Sequence, residues 1–462
     1  MTKNRFHSGL TCLAIAAASL LAGCATVPAD GGQADVRKLV QERGGDTTPA
    51  AAKLPGQVLT AEHAVATAMR HNRSLQASYA ELGIAEADLV QAGRMANPIF
   101  SFGRLKGHDG IEIERTFTLP IISLLTMPFT RPLEQRRTEV ARMRTAGEAL
   151  RIADETRRAY YGAVAAQQSA EYMDQVRSAA EASAELATRM AQAGNWSKLQ
   201  QAREQAFYAD SVTQLARARQ TRTAEREKLT RLMGGFDHDG GPGGFTLPER
   251  LPDLPAAPRA IRNAEAEAMT NRLDILMAQK ELAGLSTSLG LTRATRFVNL
   301  LDLSYLHNTE NGERTTGYEI ELQIPLFDWG GARVAKAEAQ YMQAVQRAAG
   351  IAVDARSQVR ESYLAYRTAY DIARHYRDEI VPLKKRISDE QLLRYNGMLI
   401  SVFELLADAR EQVTSVNGAI EAQRDFWIAD SALKAAMTGS GGAPAAGPSS
   451  RVQPAGAAAP QH

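Results

Sequence analysis

Two short segments of the chain alternate apolar and acidic residues with a period of two, at 111–114 and at 318–324. This period indicates β-strands with one apolar face and one polar face. In a soluble sheet the polar face meets bulk water, whereas in a membrane barrel the apolar face meets lipid and the polar face lines a pore. Polar and glycine-containing loops at 107–110 and 308–312 predict two hairpins, with strands over 99–105, 111–119, 297–306 and 315–326.

Most of the remaining chain places apolar residues at spacings of three, four and seven, which indicates long amphipathic helices. No proline interrupts this pattern from 133 to 193, and about sixty residues of helix span roughly 90 Å. A second helix, over 197–233, is predicted to run back antiparallel to it. The later half repeats the plan, with a helix over 332–395 that Pro382 is predicted to kink and a last helix over 401–437. Shorter helices, over 60–95 and 260–292, precede the hairpins.

The N-terminus has the pattern of a processing signal. Lys3 and Arg5 precede an apolar run, 10–21, that is too short to span a bilayer. The run ends at Cys24 in the sequence Leu-Ala-Gly-Cys, which is similar to a bacterial lipobox, whose cysteine is lipidated. Ala25 follows this cysteine in place of Asp, which indicates transport to the outer membrane. An ordinary signal peptide with a chance cysteine is the alternative.

Short matches recur in the same order in the two halves of the chain. Ala68-Met69 recurs as Ala268-Met269, and Arg203-Glu204-Gln205 recurs as Arg410-Glu411-Gln412. Ordered matches of this kind indicate an internal structural repeat. We therefore divide the chain into a lipoprotein signal peptide (1–23), an N-terminal lipid-anchored linker (24–57), a first repeat (58–235), an inter-repeat linker (236–258), a second repeat (259–437) and a disordered tail (438–462).

The composition argues against catalysis and against nucleic-acid binding. The 54 basic and 52 acidic residues are balanced, and no basic stripe is interleaved with aromatic residues. The eight His and two Cys form no cluster at metal-site spacing. Asp237-His238-Asp239 could bind a metal weakly or be a polar loop, and the glycines at 240–244 lack the Lys-Ser/Thr of a phosphate loop. We predict no enzyme activity, no cofactor, no metal site and no membrane-spanning helix after Cys24.

Three motifs make the chain resemble the TolC family of outer-membrane efflux factors. They are LTAEHA at 59–64, IPLFDWGG at 324–331, and YNG followed by FELLADA within 395–409. The resemblance covers about residues 58–437. It implies an α protein with a β-hairpin pair per chain, in which long antiparallel helical hairpins form a periplasmic α-barrel. It also implies that four strands from each chain contribute to a trimeric, twelve-stranded transmembrane β-barrel.

The strand count leads to the same assembly on physical grounds. Four strands cannot close a barrel, and an open sheet edge cannot face hydrocarbon. Two chains would give eight strands, whose interior side chains fill, whereas three chains would give twelve strands and a channel. The apolar positions would then face lipid, and the barrel lumen would be acidic, lined by Glu112, Glu114, Glu319 and Glu321. A small amphipathic sheet on a soluble domain is the alternative.

The resemblance also implies functional sites among the helices. The helix reversals are predicted at two tips, where glycine permits a tight turn and where the resemblance implies contact with a periplasmic adaptor protein. The tip residues are Gly194, Asn195, Trp196, Gly397, Met398 and Leu399. Carboxylates past the second tip ring the pore constriction in this family. Glu404 and Asp408 are the nearest matches here, and a solvated helix face is the alternative.

The predicted function is the outer-membrane channel of a tripartite efflux or export system. The chain would be a passive homotrimeric conduit, lipid-anchored in the outer membrane and projecting into the periplasm. An adaptor protein and an inner-membrane pump would deliver its cargo. A non-conducting envelope lipoprotein that acts as a spacer or tether is the alternative. The sequence leaves open whether the cargo is a small molecule, a metal ion or a protein.

Overall fold

The structure is a computed structural model and describes residues 27–45, 58–107, 110–235, 244–261, 263–295, 301–310, 312–323 and 326–440. Cys24, the acidic loop at 237–239 and the tail after 440 lie outside these residues. The helices described are α1 (Gln33–Glu42), α2 (Ala61–His71), α3 (Arg73–Ala92), α4 (Ile121–Gln192), α5 (Lys198–Leu232), α6 (Ala264–Asn271), α7 (Leu273–Ala294), α8 (Gly331–His375), α9 (Val381–Asn396) and α10 (Val402–Thr438). The strands are β1 (Ile99–Gly107), β2 (Gly110–Pro120), β3 (Leu301–Glu310) and β4 (Glu313–Leu322).

Both predicted hairpins are present, and they join into one antiparallel sheet in the order β1-β2-β3-β4. The pairing of β2 with β3 runs from Glu112 opposite Glu310 to Pro120 opposite Asp302. The loop predicted at 308–312 is wrong, because the β3–β4 ladder continues to Glu310 opposite Glu313. Polar residues at 308–310 suggested a loop, but a strand with a polar face accommodates them.

The long helix α4 starts earlier than predicted. It begins at Ile121, directly after β2, and includes Pro128 and Pro132. The prediction began the helix after these prolines because each proline removes a backbone N–H bond. In the second half, α8 and α9 are separated by a π-helical turn, Tyr376–Ile380. This interruption ends two residues before Pro382, where a kink was predicted.

The single helices predicted before each hairpin are each divided in two. Asn72 separates α2 from α3, and Arg272 separates α6 from α7, both with extended ψ angles of 122° and 129°. The Asn72 side chain donates to the carbonyl of Leu232 at 2.9 Å, and the Arg272 guanidinium donates to the carbonyl of Ala436 at 2.7 Å. Each break residue therefore binds a carbonyl at the C-terminal end of the last helix in its own half, where carbonyls lack helical partners.

The segments predicted as linkers contain packed structure. Within 24–57, the helix α1 buries Val36 and Val40 completely or nearly so, at 0% and 1% exposure. Within 236–258, the described residues from 244 onward are irregular, but Phe245 and Leu251 are buried in a core cluster. The carbonyl of Phe245 also accepts a hydrogen bond from Arg226 at 2.7 Å. Irregular backbone is thus fixed here by its side chains.

The chain divides into two compact units. The first contains α1, α3, the four strands, α7 and the adjoining parts of α4 and α8, and the second contains α2, α5, α6, α9, α10 and the remaining parts of α4 and α8. Each unit therefore takes residues from both predicted repeats. Among the described residues, no helix combines the length and the apolar character that a membrane span requires.

Candidate functional site

The four strands place all their carboxylates on one face of the sheet. Residues directly opposite each other in an antiparallel sheet share a face, and successive residues alternate between faces. Applied to the observed register, this rule gives an acidic face that carries Glu112, Glu114, Asp302, Glu310, Glu313, Glu319 and Glu321. The four glutamates predicted from sequence are therefore brought together. The other three were missed, because β3 lacks the apolar–acidic alternation and Glu313 precedes the alternating segment.

The opposite face is apolar over the half of the sheet nearest the helices. Phe100, Phe117, Tyr305 and Tyr318 stand opposite one another in one row across all four strands. The next apolar-face row toward the helices contains Leu119, Leu303 and Ile320, and the one beyond it contains Leu301 and Leu322. These side chains are exposed in the chain except for Leu301, which is half-buried, and Tyr318 reaches 80% and Ile320 61% exposure. An apolar patch of this kind requires a covering partner or lipid.

The sheet also has two open edges. β1 and β4 are its outer strands, and each pairs on one side only among the described residues. An unpaired edge exposes a row of backbone N–H and C=O groups that can pair with another chain. Edge exposure and the apolar face together leave this sheet able to pair with further strands.

The first helix reversal, between α4 and α5, uses a glycine as predicted. Gly194 has a φ of 75°, in the left-handed region that favours glycine. The N–H of the next residue, Asn195, donates to the carbonyl of Met190 at 2.9 Å. Ser197 then starts α5 with a capping box, in which its hydroxyl and the Gln200 side chain each accept the other residue's backbone N–H.

The second reversal, between α9 and α10, differs from the prediction. Gly397 has a φ of −80°, and the left-handed residue is Met398, with a φ of 54°. The role predicted for Gly397 as the tight-turn residue is therefore wrong. A non-glycine residue in this region is strained by its Cβ, by about 1–2 kcal/mol. Met398 and Leu399 are also 93% and 77% exposed, so the tip presents apolar side chains to solvent.

The predicted constriction residues lie at the start of α10. Ser401 caps this helix, and its hydroxyl accepts a hydrogen bond from the N–H of Glu404 at 3.3 Å. The Glu404 side chain is exposed in the first turn, where a carboxylate interacts favourably with the helix dipole. Asp408 lies one turn further along the same helix, and its side chain is outside the described residues.

A buried carboxylate joins three helices in the second unit, and it was not predicted. Glu204 of α5 is only 1% exposed. One of its carboxylate oxygens accepts from the hydroxyl of Ser183 in α4 at 2.8 Å, and the other accepts from the guanidinium of Arg410 in α10 at 2.6 Å. The Arg410 guanidinium also lies over the Phe207 ring, 4.4 Å from its centroid. The pair fixes α10 against α4 and α5.

The matching position of the second repeat has a different environment. Glu411, which corresponds to Glu204 in the repeated Arg-Glu-Gln motif, accepts a hydrogen bond from Lys384 of α9 at 2.5 Å. Its side chain is 68% exposed. The Lys384 hydrogen bond holds the pKa of Glu411 below its usual value. The repeated motif contains Glu204, Arg410 and Glu411, but only the fold shows that Glu204 is the buried carboxylate.

Comparison with known proteins identifies the architecture. No protein-family model and no curated protein sequence matches the chain. The structure is similar to the outer-membrane channel OprN, with a TM-score of 0.68 and 16% identity over 86% of this chain and 96% of that chain. It is also similar to the CmeC outer membrane channel of Campylobacter jejuni, with a TM-score of 0.68, 16% identity, and coverage of 86% and 92%. For the outer membrane protein VceC of Vibrio cholerae the TM-score is 0.66, at 17% identity and 82% and 95% coverage.

The chain has the TolC-type fold. The resemblance predicted from the three sequence motifs is thus confirmed at the level of the fold. At these identities the likeness concerns architecture, and function rests on the residues of the site. Within the TolC-type fold, the predicted lumen glutamates share one sheet face and the predicted tip residues occupy the two helix reversals.

Proposed function

We propose that the chain is the outer-membrane channel of a tripartite export system and that three copies form one conduit. The observation that carries this proposal is the sheet, which has two open edges, one apolar face and one acidic face, in a chain with the TolC-type fold. Three four-stranded sheets joined edge to edge would make a closed barrel of twelve strands, wide enough for an aqueous channel. Closure would pair the backbone N–H and C=O groups of both open edges and place the apolar face against lipid.

The acidic face would line this channel. Glu112 and Glu310 stand directly opposite each other, as do Glu310 and Glu313, and Asp302 and Glu321. Like charges in directly opposite positions destabilise an isolated sheet. A water-filled lumen that concentrates cations would screen this repulsion. The arrangement therefore favours a cation-selective pore.

The helices would project into the periplasm, and their reversals would meet the adaptor. Met398 supports this role, because a strained backbone that exposes an apolar side chain is typical of a contact site. Glu404 and Asp408 would ring the constriction of the channel. Lipidation at Cys24 would anchor the N-terminus in the outer membrane, and the mass of the mature protein, compared with that of a Cys24→Ala variant, tests this assignment.

Single-channel recording in planar bilayers tests the conduit. The purified wild-type protein is expected to be a trimer and to give discrete cation-selective conductance. A variant with Glu112, Glu114, Glu319 and Glu321 replaced by Gln is expected to shift the reversal potential in a salt gradient toward that of an unselective pore. A monomer without conductance would contradict the proposal and would favour the spacer. An unchanged reversal potential would mean that the acidic face does not line the lumen.

A further inference from the structure

The basic residues of the sheet are sorted as strictly as the acidic ones, onto the opposite face. We call this group the basic patch, and it consists of Arg104, Lys106, Arg115, His307 and Arg314. No Lys or Arg of the four strands lies on the acidic face, and no carboxylate lies on the face that holds the basic patch. Charge is therefore separated across the thickness of the sheet.

The basic patch occupies only one half of its face. Arg115 and His307 stand opposite each other in the row just beyond the Phe100–Tyr318 row, on the side of the hairpin turns. Arg104 and Arg314 belong to the next row on this face, and Lys106 to the one nearest the turn of the first hairpin. The rows nearest the helices carry no charge on this face. The outward face thus has an apolar half and a cationic half.

The cations of the patch are available to a ligand. Arg104, Lys106 and Arg314 are exposed and Arg115 is partly exposed. Among the described residues, none of these four side chains forms an ion pair within the chain. Cross-strand neighbours on the same face are the usual source of compensating charge in a sheet, and here they are apolar, polar or cationic. Within the described residues, no carboxylate therefore neutralises the positive charge of these four side chains.

We infer that the basic patch binds the phosphate groups of phosphorylated glycolipids in the outer leaflet of the membrane. This inference rests on the proposed function, which places the apolar half of the same face in hydrocarbon. Helices start directly after β2 and shortly after β4, so the turn end of the sheet is the end away from the periplasm. The basic patch then lies at the level of the outer headgroups.

Both the chemistry and the dimensions of the patch fit this ligand. Arginine binds phosphate with two parallel N–H bonds, so three arginines on neighbouring rows can hold phosphates of one headgroup or of two adjacent ones. A strand advances about 3.4 Å per residue, so the rows from Leu301 to the level of Arg115 cover roughly 20 Å along the strand. Exposed apolar residues continue past the strand ends, at Leu125 and Phe327. Strands tilted by about 40° turn this length into roughly 15 Å of height, so the rows and the residues past the strand ends together can fill most of a barrel's hydrocarbon belt, about 25 Å tall, below the basic patch.

The test compares two lipids on the intact trimer. Purified trimer in a neutral detergent is titrated with bisphosphorylated lipid A and with the same lipid after enzymatic removal of its phosphates, and bound lipid is counted by native mass spectrometry. The wild type is expected to retain the phosphorylated lipid and to bind the dephosphorylated lipid much more weakly. Added salt is expected to weaken only the former. Equal binding of both lipids would overturn the inference without any variant.

Variants then locate the site. Replacing Arg104, Arg115 and Arg314 together by Gln is expected to weaken binding on the order of a hundredfold, at about fivefold for each basic residue near an anionic surface. Replacing the same three by Lys is expected to keep most of the binding, since the charge remains. The matched control replaces three exposed helical arginines, Arg217, Arg222 and Arg386, by Gln and is expected to have no effect.

The outcomes separate this inference from the proposed function. If the Gln variant still conducts in planar bilayers and still binds the phosphorylated lipid like the wild type, the basic patch is not the site and the channel proposal is unaffected. If the helical control loses as much binding, attraction is non-specific and the inference is wrong. If the wild type is a monomer without conductance, the proposed function itself fails.

Discussion

The buried pair of Glu204 and Arg410 allows a quantitative test of how the helices are held together. We propose replacing Arg410 by Met, which keeps the length of the side chain and removes its charge. Glu204 would then be a carboxylate at 1% exposure that retains the hydrogen bond from the hydroxyl of Ser183. Removing one partner of a fully buried pair costs about 3–5 kcal/mol, because it leaves an uncompensated charge. The Arg410 side chain is 30% exposed, so the lower end of this range is expected here.

A second contribution comes from the aromatic ring beside the pair. The guanidinium of Arg410 lies 4.4 Å from the centroid of Phe207, and a cation–π contact of this kind contributes about 0.5–1 kcal/mol. Met at this position retains contact with the ring through its sulfur. Most of the loss of stability is therefore expected from Glu204, whose carboxylate has lost its cationic partner. The expected destabilisation is therefore about 3 kcal/mol in the region where α10 meets α4 and α5.

The chain provides its own control in the corresponding pair of the second repeat. Lys384 and Glu411 make the same type of bond, but Glu411 is 68% exposed. Lys384→Met is expected to have a much smaller effect, because water replaces the lost partner. Hydrogen exchange of peptides from α5, α9 and α10 in the purified protein, followed by mass spectrometry, reports the local opening free energy for each variant.

A double variant completes the argument. Glu204→Met combined with Arg410→Met removes both charges and is expected to recover most of the stability, since a buried pair replaced by apolar groups is often neutral. The coupling energy between the two sites should then exceed about 2 kcal/mol. Two results would refute the reasoning: a loss for Arg410→Met no larger than for Lys384→Met, or a double variant as unstable as the single one.

Three further predictions concern other parts of the chain. Met398→Gly is expected to stabilise the second reversal by about 1 kcal/mol in thermal unfolding, because glycine adopts the left-handed conformation without strain, and to weaken adaptor binding in a pull-down. Ile320→Arg is expected to cost roughly 2–4 kcal/mol on the lipid face and to lower the trimer yield in outer membranes, whereas Thr315→Arg on the acidic face should leave the yield unchanged. Burial raises the pKa of Asp154 from 3.8 to about 6, so the native state holds a proton that the unfolded state has lost between these values. Stability should therefore fall by roughly 3 kcal/mol as pH rises through this window, and Asp154→Asn should flatten that slope and raise the melting temperature at neutral pH.

Elements with a local signal could be predicted from the sequence. The hairpins were found because apolar–acidic alternation at Glu112, Glu114, Glu319 and Glu321 is a property of neighbouring residues. The reversal at Gly194 was found because glycine favours a positive φ. The N-terminal part of α4 was missed because local rules stop a helix at proline, and packing of the completed helix overrides them.

Features that depend on distant partners could not be predicted. The breaks at Asn72 and Arg272 exist because each side chain reaches a carbonyl at the end of a helix far along the chain, at Leu232 and Ala436. At the second tip, Gly397 is still the C-cap of α9, so the left-handed position falls on the next residue, Met398. Periodicity gives the face of a helix or strand but not the element that covers it.

The sorting of charge across the sheet is the strongest argument that its two faces meet different surroundings. In water, a sheet gains stability when opposite charges stand across from each other on one face, at about 0.2–1 kcal/mol for each pair. This sheet forgoes such pairs, and it places Glu310 directly opposite Glu313 and Asp302 directly opposite Glu321 instead. A sheet with both faces in the same solvent has no physical reason to accept that loss. A sheet that separates an aqueous lumen from a bilayer does, because acidic groups then remain hydrated on one side, and the apolar and basic halves of the other side match hydrocarbon and phosphate.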